Sequence, residues 1–147
     1  MIEYRIQKLT EETIYDYLMA LDKSLLPTLS SRVNIKDYSC KLCNYALHFC
    51  AFDEEQMVGI VAGYFNDPDN KTVYISSFSV IKSHRKKGIA STLLKKVIHY
   101  AISKGFSKID LQVYIANESA ITFYENFGFN KEFDSGKNEF ISMSLIL

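Results

Sequence analysis

Ile2, Tyr4 and Ile6 alternate with more polar neighbours, and this period of two predicts a short first strand. The period then lengthens. Ile14, Tyr17, Leu18 and Leu21 recur at helical spacing behind Glu11 and Glu12, and Thr10 is placed to cap that helix. Pro27 and the run Ser30-Ser31-Arg32 break the pattern, and a second helix is expected from about Asn34 with Tyr38, Leu42 and Tyr45 on one face. Alternation returns at Leu47, Phe49 and Ala51, which predicts a strand ending in the acidic turn Asp53-Glu54-Glu55. Met57 to Phe65 form a second apolar strand. The turn Asn66-Asp67-Pro68-Asp69-Asn70 separates it from a third, Thr72 to Val80. Connections this short predict antiparallel neighbours.

The second half changes character at Gly88. Ile89, Leu93, Leu94, Val97, Ile98 and Ala101 make a strong helical face, and Gly105 stands where a helix C-terminus needs it. Ile109, Leu111 and Val113 read as a strand. Asn117 can cap a short helix carrying Ala120, Ile121, Tyr124 and Phe127 and stopping at Gly128. Two closing strands are expected around 129–134 and 138–146, joined through Ser135-Gly136-Lys137, and the last is expected to cover an edge or help pair subunits. Helices packed on a mixed sheet place the chain in the α/β (α+β) class. Its 147 residues, 48% of them hydrophobic, are expected to form a single domain, 1–147, without repeats or linkers. Either a monomer or a homodimer is compatible with the pattern.

Charge narrows the partners. Lys and Arg number 17, Asp and Glu also 17, so no nucleic-acid partner is expected. The longest apolar runs fall far short of the roughly 20 residues that span a bilayer, and no secretory pattern opens the chain. No membrane partner is expected, and the expected location is cytoplasmic. Cys40, Cys43 and Cys50 are an odd set and read as reduced thiols. The C-x-x-C spacing with His48 nearby raises a zinc site. However, His48 and Cys50 share one face of a strand-like run, packed thiols are the plainer account, and no metal is expected.

One stretch breaks the charge balance. Lys82, His84, Arg85, Lys86 and Lys87 lie together without an acid, immediately before Gly88 and a helix start. Phosphate oxygens need convergent N–H donors, and a helix N-terminus supplies them. Taken alone, the segment is equally a solvated basic loop. No G-x-G-x-x-G and no GxxxxGK[ST] element competes for the reading. Arg85-x-x-Gly88-x-Ala90 resembles the Q/R-x-x-G-x-G/A signature of the GCN5-related N-acetyltransferase (GNAT) superfamily. Asn117 to Phe129 is similar to the same family's N-x-x-A-x-x-x-Y-x-x-x-G-F region, in the expected order.

The resemblance covers essentially the whole chain. It implies a GNAT fold, a mixed central sheet of about six or seven strands flanked by about four helices. It also implies an acyl-CoA N-acyltransferase with acetyl-CoA as donor. Residues Arg85, Lys87, Gly88, Ile89, Ala90 and Ser91 would meet the coenzyme A pyrophosphate, and Asn117 and Ser119 the cofactor arm. Phe78 and Val80, on a splayed strand, would bind the pantetheine. Val80 would aim an N–H at the thioester carbonyl, and Tyr124 would protonate the leaving sulfur.

The transfer itself needs a neutral amine, a stabilised oxyanion and a proton for the thiolate. Tyr74-Ile75-Ser76-Ser77-Phe78 carries no carboxylate or imidazole, so a water chain held by groups such as Ser76, or an amine arriving partly neutral, stands in for a named base. Ser31, Arg32, Tyr38, Tyr64 and Ser76 are the candidate acceptor contacts, with Asp37 beside them. The expected acceptor is a primary amine of a small molecule, with amino sugars and nucleotide sugars the favoured class. A protein or peptide N-acetyltransferase and a non-catalytic CoA-binding regulatory module are the alternatives.

Overall fold

The computed structural model describes residues 1–132 and 139–147, and the expected turn at Ser135-Gly136-Lys137 lies outside them. Strand β1 (Ile2–Gln7) leads into helix α1 (Glu11–Leu21), whose cap Thr10 accepts from the Thr13 amide. Two short 3-10 turns, Asp22–Ser24 and Leu29–Ser31, fill the predicted break before α2 (Ile35–Tyr45), capped by Asn34. Strands β2 (Leu47–Asp53), β3 (Gln56–Tyr64) and β4 (Thr72–Val80) follow as an antiparallel meander with β1. The 3-10 turn Lys82–His84 leads to α3 (Ile89–Ser103), and β5 (Lys108–Tyr114), α4 (Glu118–Asn126), β6 (Asn130–Lys131) and β7 (Phe140–Ile146) complete the chain.

The seven strands form one sheet in the order β1-β2-β3-β4-β5-β7-β6. Among the described pairs only β4 and β5 run parallel, because the α3 crossover returns the chain to the same end of the sheet. With four helices among the described residues, this is a mixed α/β architecture. Helices α3 and α4 pack on one face, where Leu93, Leu94, Val97, Ala101 and Ile121 meet Val58, Val61, Val73, Ile75, Ile109 and Leu111. Helices α1 and α2 cover the other face over the meander, with Ile14, Leu18, Ile35 and Leu42 against Cys50, Phe52 and Ile60. At Gly59 a Cβ would stand 3.1 Å from Leu93 Cδ1, so the missing side chain lets α3 approach β3 closely.

Several expectations need correction. Tyr45 is 62% exposed, because α2 buries the Ile35, Ser39 and Leu42 side instead. Strand β2 is buried on both faces, His48 and Cys50 included, since helices cover it from both sides. The last strand covers the β5 edge, one of the two roles expected for it, and β6 pairs with its outer side at Ser144 and Met143. Strand β6 is two residues long, and Phe65 leaves β3 to join an aromatic cluster with Phe49, Tyr100 and Phe106.

The cysteines and His48 have separate surroundings. The Cys43 thiol lies 3.6 Å from the Leu9 carbonyl, Cys40 is exposed, and burial pushes the Cys50 thiol up to about 12. His48, with no exposed surface, accepts from the Leu9 amide at Nδ1 (2.8 Å) and donates from Nε2 to the Leu42 carbonyl (2.9 Å). These bonds fix a neutral tautomer that ties the β1–α1 connection to α2. Burial lowers the pKa of the ring, so the unfolded chain binds this proton more readily than the folded one. Stability from His48 is therefore complete above about pH 6.5 and lost as pH falls below that value toward the folded pKa. His48→Phe is expected to cost about 2–4 kcal/mol, because two buried backbone groups lose partners. It should also flatten the stability change between about pH 5 and 7, measured by urea unfolding.

Candidate active site

The site begins with one extra residue. Ala62 pairs with Ser77 and Gly63 with Ile75, which leaves Ser76 as a bulge in β4. Strand β4 pairs with β5 only from Thr72↔Lys108 to Ile75↔Leu111, whereas β5 continues to Tyr114 against β7. Beyond Ser76 the two strands diverge and a gap opens between them. The Ile81 amide donates to the Val58 carbonyl, so by antiparallel alternation Ser79 is the next residue bonded to β3. Phe78 and Val80 accordingly turn their backbone N–H and C=O groups toward the gap. The Val80 carbonyl is taken by Arg85 Nε at 2.9 Å, and Arg85 also donates to Ser24 Oγ at 3.2 Å.

At one end of the gap lies the basic turn. Lys86 (φ 62°) and Gly88 (φ 81°) are both left-handed, which curls the chain tightly into α3. Gly88 caps α3 without a side-chain bond, and Thr92 is the first residue whose amide returns to the Gly88 carbonyl. The amides of Ile89, Ala90 and Ser91 therefore point out of the helix start unused by the helix. They border a cavity of about 270 Å³ with Val80, His84, Arg85, Lys86 and Phe123. A Cβ on Gly88 would meet no protein atom within 4 Å, so the glycine is demanded by backbone angle and the space before it is open. Lys87 is exposed and stands outside that lining. His84 is held by Asp53 (2.7 Å) and Ser83 (2.8 Å), tying the turn to the β2–β3 hairpin and keeping the Asp53 carboxyl below its ordinary value.

The middle of the gap is walled by α4. Asn117 caps that helix by accepting from the Ala120 amide and from Ser119 Oγ, both at 3.2 Å. A cavity of about 440 Å³ runs between Asn117, Ser119, Ala120, Phe123 and Tyr124 on one side and Phe78, Val80 and Arg85 on the other. It shares Val80, Arg85, Ala90 and Phe123 with the phosphate-end cavity, so the two are continuous. Tyr124 packs edge-on against Phe78, Phe123 and Phe129. Its hydroxyl has no protein hydrogen bond among the described residues, and burial alone pushes its pKa up, so it stays protonated.

A third cavity of about 170 Å³ shares Phe78, Asn117 and Tyr124 with the second and extends to Arg32, Tyr38, Tyr74, Ser76, Gln112 and Phe140. Tyr38 Oη lies 2.7 Å from Ser76 Oγ and donates to the Ser76 carbonyl at 2.9 Å. Tyr17 makes the parallel contact to Ser79 Oγ at 3.1 Å. Burial raises both hydroxyls to about 12 against the lowering effect of these bonds. Tyr64 faces a separate open cavity with Ser76, and its buried hydroxyl lacks a partner among the described residues. Ser31 is outside all of these linings and donates to the Thr28 carbonyl, while exposed Asp37 sits in the first turn of α2. Among the described residues no carboxylate lines any of the three cavities, and the one imidazole, His84, lies at the phosphate end.

Sequence reasoning missed the walls supplied by Gln112 and Tyr114 and by Phe140. Tyr17 was legible as core, but its reach to Ser79 required the three-dimensional crossing of α1 over β4.

The Acetyltransferase (GNAT) family model matches residues 12–129. A "Probable N-acetyltransferase family 8 member 5" from Mus musculus is 36% identical over 90 residues, covering 59% of this chain and 38% of the mouse protein. An "N-alpha-acetyltransferase 30" from Schizosaccharomyces pombe is 29% identical over 100 residues, covering 63% of this chain and 67% of its own. The chain thus spans well under half of the mouse relative's length. In fold it is similar to the PaiA N-acetyltransferase of Thermoplasma acidophilum, solved with coenzyme A (TM-score 0.78, 20% identity, 100% of this chain and 99% of that one). With the family matched across most of its length, the chain belongs to the GNAT acetyltransferases, acyltransferases whose donor is acetyl-CoA.

Proposed function

We propose that this chain transfers the acetyl group of acetyl-CoA directly to a primary amine of a small molecule. The observation that carries the reading is the continuity of the gap. It joins the free amides at the α3 start to Tyr124 and then to a compact chamber of about 170 Å³. That chamber is smaller than the roughly 300 Å³ at which drug-sized pockets begin, which suits a compact amine, amino sugars included.

In this reading the Ile89, Ala90 and Ser91 amides and the cationic turn bind the pyrophosphate. The gap-facing groups of Phe78 and Val80, with Asn117 and Ser119, line the arm. The Val80 N–H stabilises the oxyanion that forms as the amine attacks the thioester carbon. As the C–S bond breaks, Tyr124 gives its proton to the sulfur. The amine's proton leaves through water held near Ser76 and Tyr38, since the lining offers no carboxylate. A protein N-terminus is the second reading, favoured by the similarity to the fission-yeast N-alpha-acetyltransferase 30.

Two variants separate the enzyme from a module that merely binds CoA. Tyr124→Phe is expected to lower kcat about 100-fold while shifting the acetyl-CoA Kd less than about twofold, by thiol release and calorimetry. Equal turnover in the two proteins would remove Tyr124 from the proton step. Gly88→Ala forces a Cβ onto a left-handed residue at the phosphate end. It should weaken acetyl-CoA binding by about tenfold, corresponding to 1–2 kcal/mol of backbone strain.

A further inference from the structure

The chamber beyond Tyr124 holds a charge asymmetry. Among the described residues Arg32 is the one charged residue on its wall, and the rest of that lining is apolar, hydroxyl or amide. Its guanidinium sits over the Phe140 ring, 4.5 Å from the centroid, which joins the α1–α2 connection to β7. An arginine stacked on a ring keeps its in-plane N–H donors at the edge, aligned for a planar anion. Arg32 is exposed, and its charge lies close enough to lower the Tyr38 and Tyr74 hydroxyls against the raising effect of their burial.

The chain's other two arginines are engaged. Arg5 pairs with Glu3, and Arg85 bonds Val80 and Ser24. Among the described residues Arg32 has no carboxylate within ion-pair distance and makes no side-chain hydrogen bond. A purely cationic acceptor, such as a polyamine, would meet a like charge here, and the Asp110 carboxylate in the adjoining cavity is already engaged by Lys108 and Ser144. A molecule with its amine at Tyr124 and an anion at Arg32 satisfies both ends.

We infer that the acceptor carries a carboxylate a few bonds from its reactive amine and that Arg32 binds this carboxylate, which rests on the acetyltransferase reading. A free amino-carboxylate and an acidic side chain beside a peptide N-terminus share this chemistry. The compact chamber favours the free molecule.

The test uses amine pairs in which an amide replaces the anion, glycine with glycinamide and β-alanine with β-alaninamide, compared at equal concentrations of the neutral amine. Amidated peptides with acidic or neutral first residues form a second arm. Wild type, Arg32→Gln and Arg32→Lys are compared by thiol release. Wild type should favour the carboxylate member at least about fivefold in kcat/KM, chiefly through KM. Arg32→Gln should bring that member down to the level of its amide, and Arg32→Lys should keep part of the preference. An Arg32-dependent preference confined to acidic peptides supports the anion contact and assigns its source to a peptide. Equal use of both members by wild type, or a preference surviving in Arg32→Gln, overturns the inference. So does protein that binds acetyl-CoA in calorimetry yet uses no anionic amine. Failure to bind acetyl-CoA at all would sink the acetyltransferase reading instead.

Discussion

The site depends on a broken ladder. A parallel pair extended to the full length of β4 and β5 would consume the edge groups of Phe78 and Val80 and leave no gap. The Ser76 bulge stops that pairing after Ile75, while β3 holds the other side of β4 and β7 holds the other side of β5. Each diverging strand thus keeps one bonded neighbour. The backbone facing the gap is exposed without the strand being loose, which an unsupported edge would not achieve.

Side chains reinforce what the ladder no longer supplies. Tyr17 from α1 and Tyr38 from α2 reach Ser79 and Ser76, the two serines flanking the diverging stretch. Both phenols are protonated at neutral pH, so each acts as a neutral clamp and brings no charge into a low-dielectric wall. Opposite them, Phe78, Phe123, Tyr124 and Phe129 form edge-on contacts that fix the C-terminal half of the α4 wall. The gap is bounded by rigid elements on both sides, which favours fixed geometry at the reacting centre.

Local periodicity made much of this legible. Thr10 and Asn117 cap the helices they were expected to cap, Asn34 caps the helix expected to begin near it, and the Ile14, Tyr17, Leu18, Leu21 stripe is buried as its spacing required. Strand β4 runs from Thr72 to Val80, as the turn residues before it and the basic segment after it indicated. What failed was any inference needing to know the far neighbour. His48 and Cys50 alternate like a half-exposed strand, yet a second helical layer buries both faces of β2. The strand expected around 129–134 is β6, of which only Asn130–Lys131 pairs with the last strand among the described residues. In the gap, the basic turn and Tyr124 were visible as motif residues. The bulge was not, since an extra serine among serines leaves no trace in composition.

The Arg85 bond to the Val80 carbonyl gives the gap a polarity of its own. A strand edge normally offers donors and acceptors in alternation, and a bound molecule can match either. With that carbonyl already occupied, residue 80 presents its remaining N–H without a competing oxygen beside it. Oxygen-rich groups gain there, whereas hydroxyls and amides seeking an acceptor find one fewer. Through this bond the Arg85 guanidinium acts as a filter on which end of a molecule can lie against the strand.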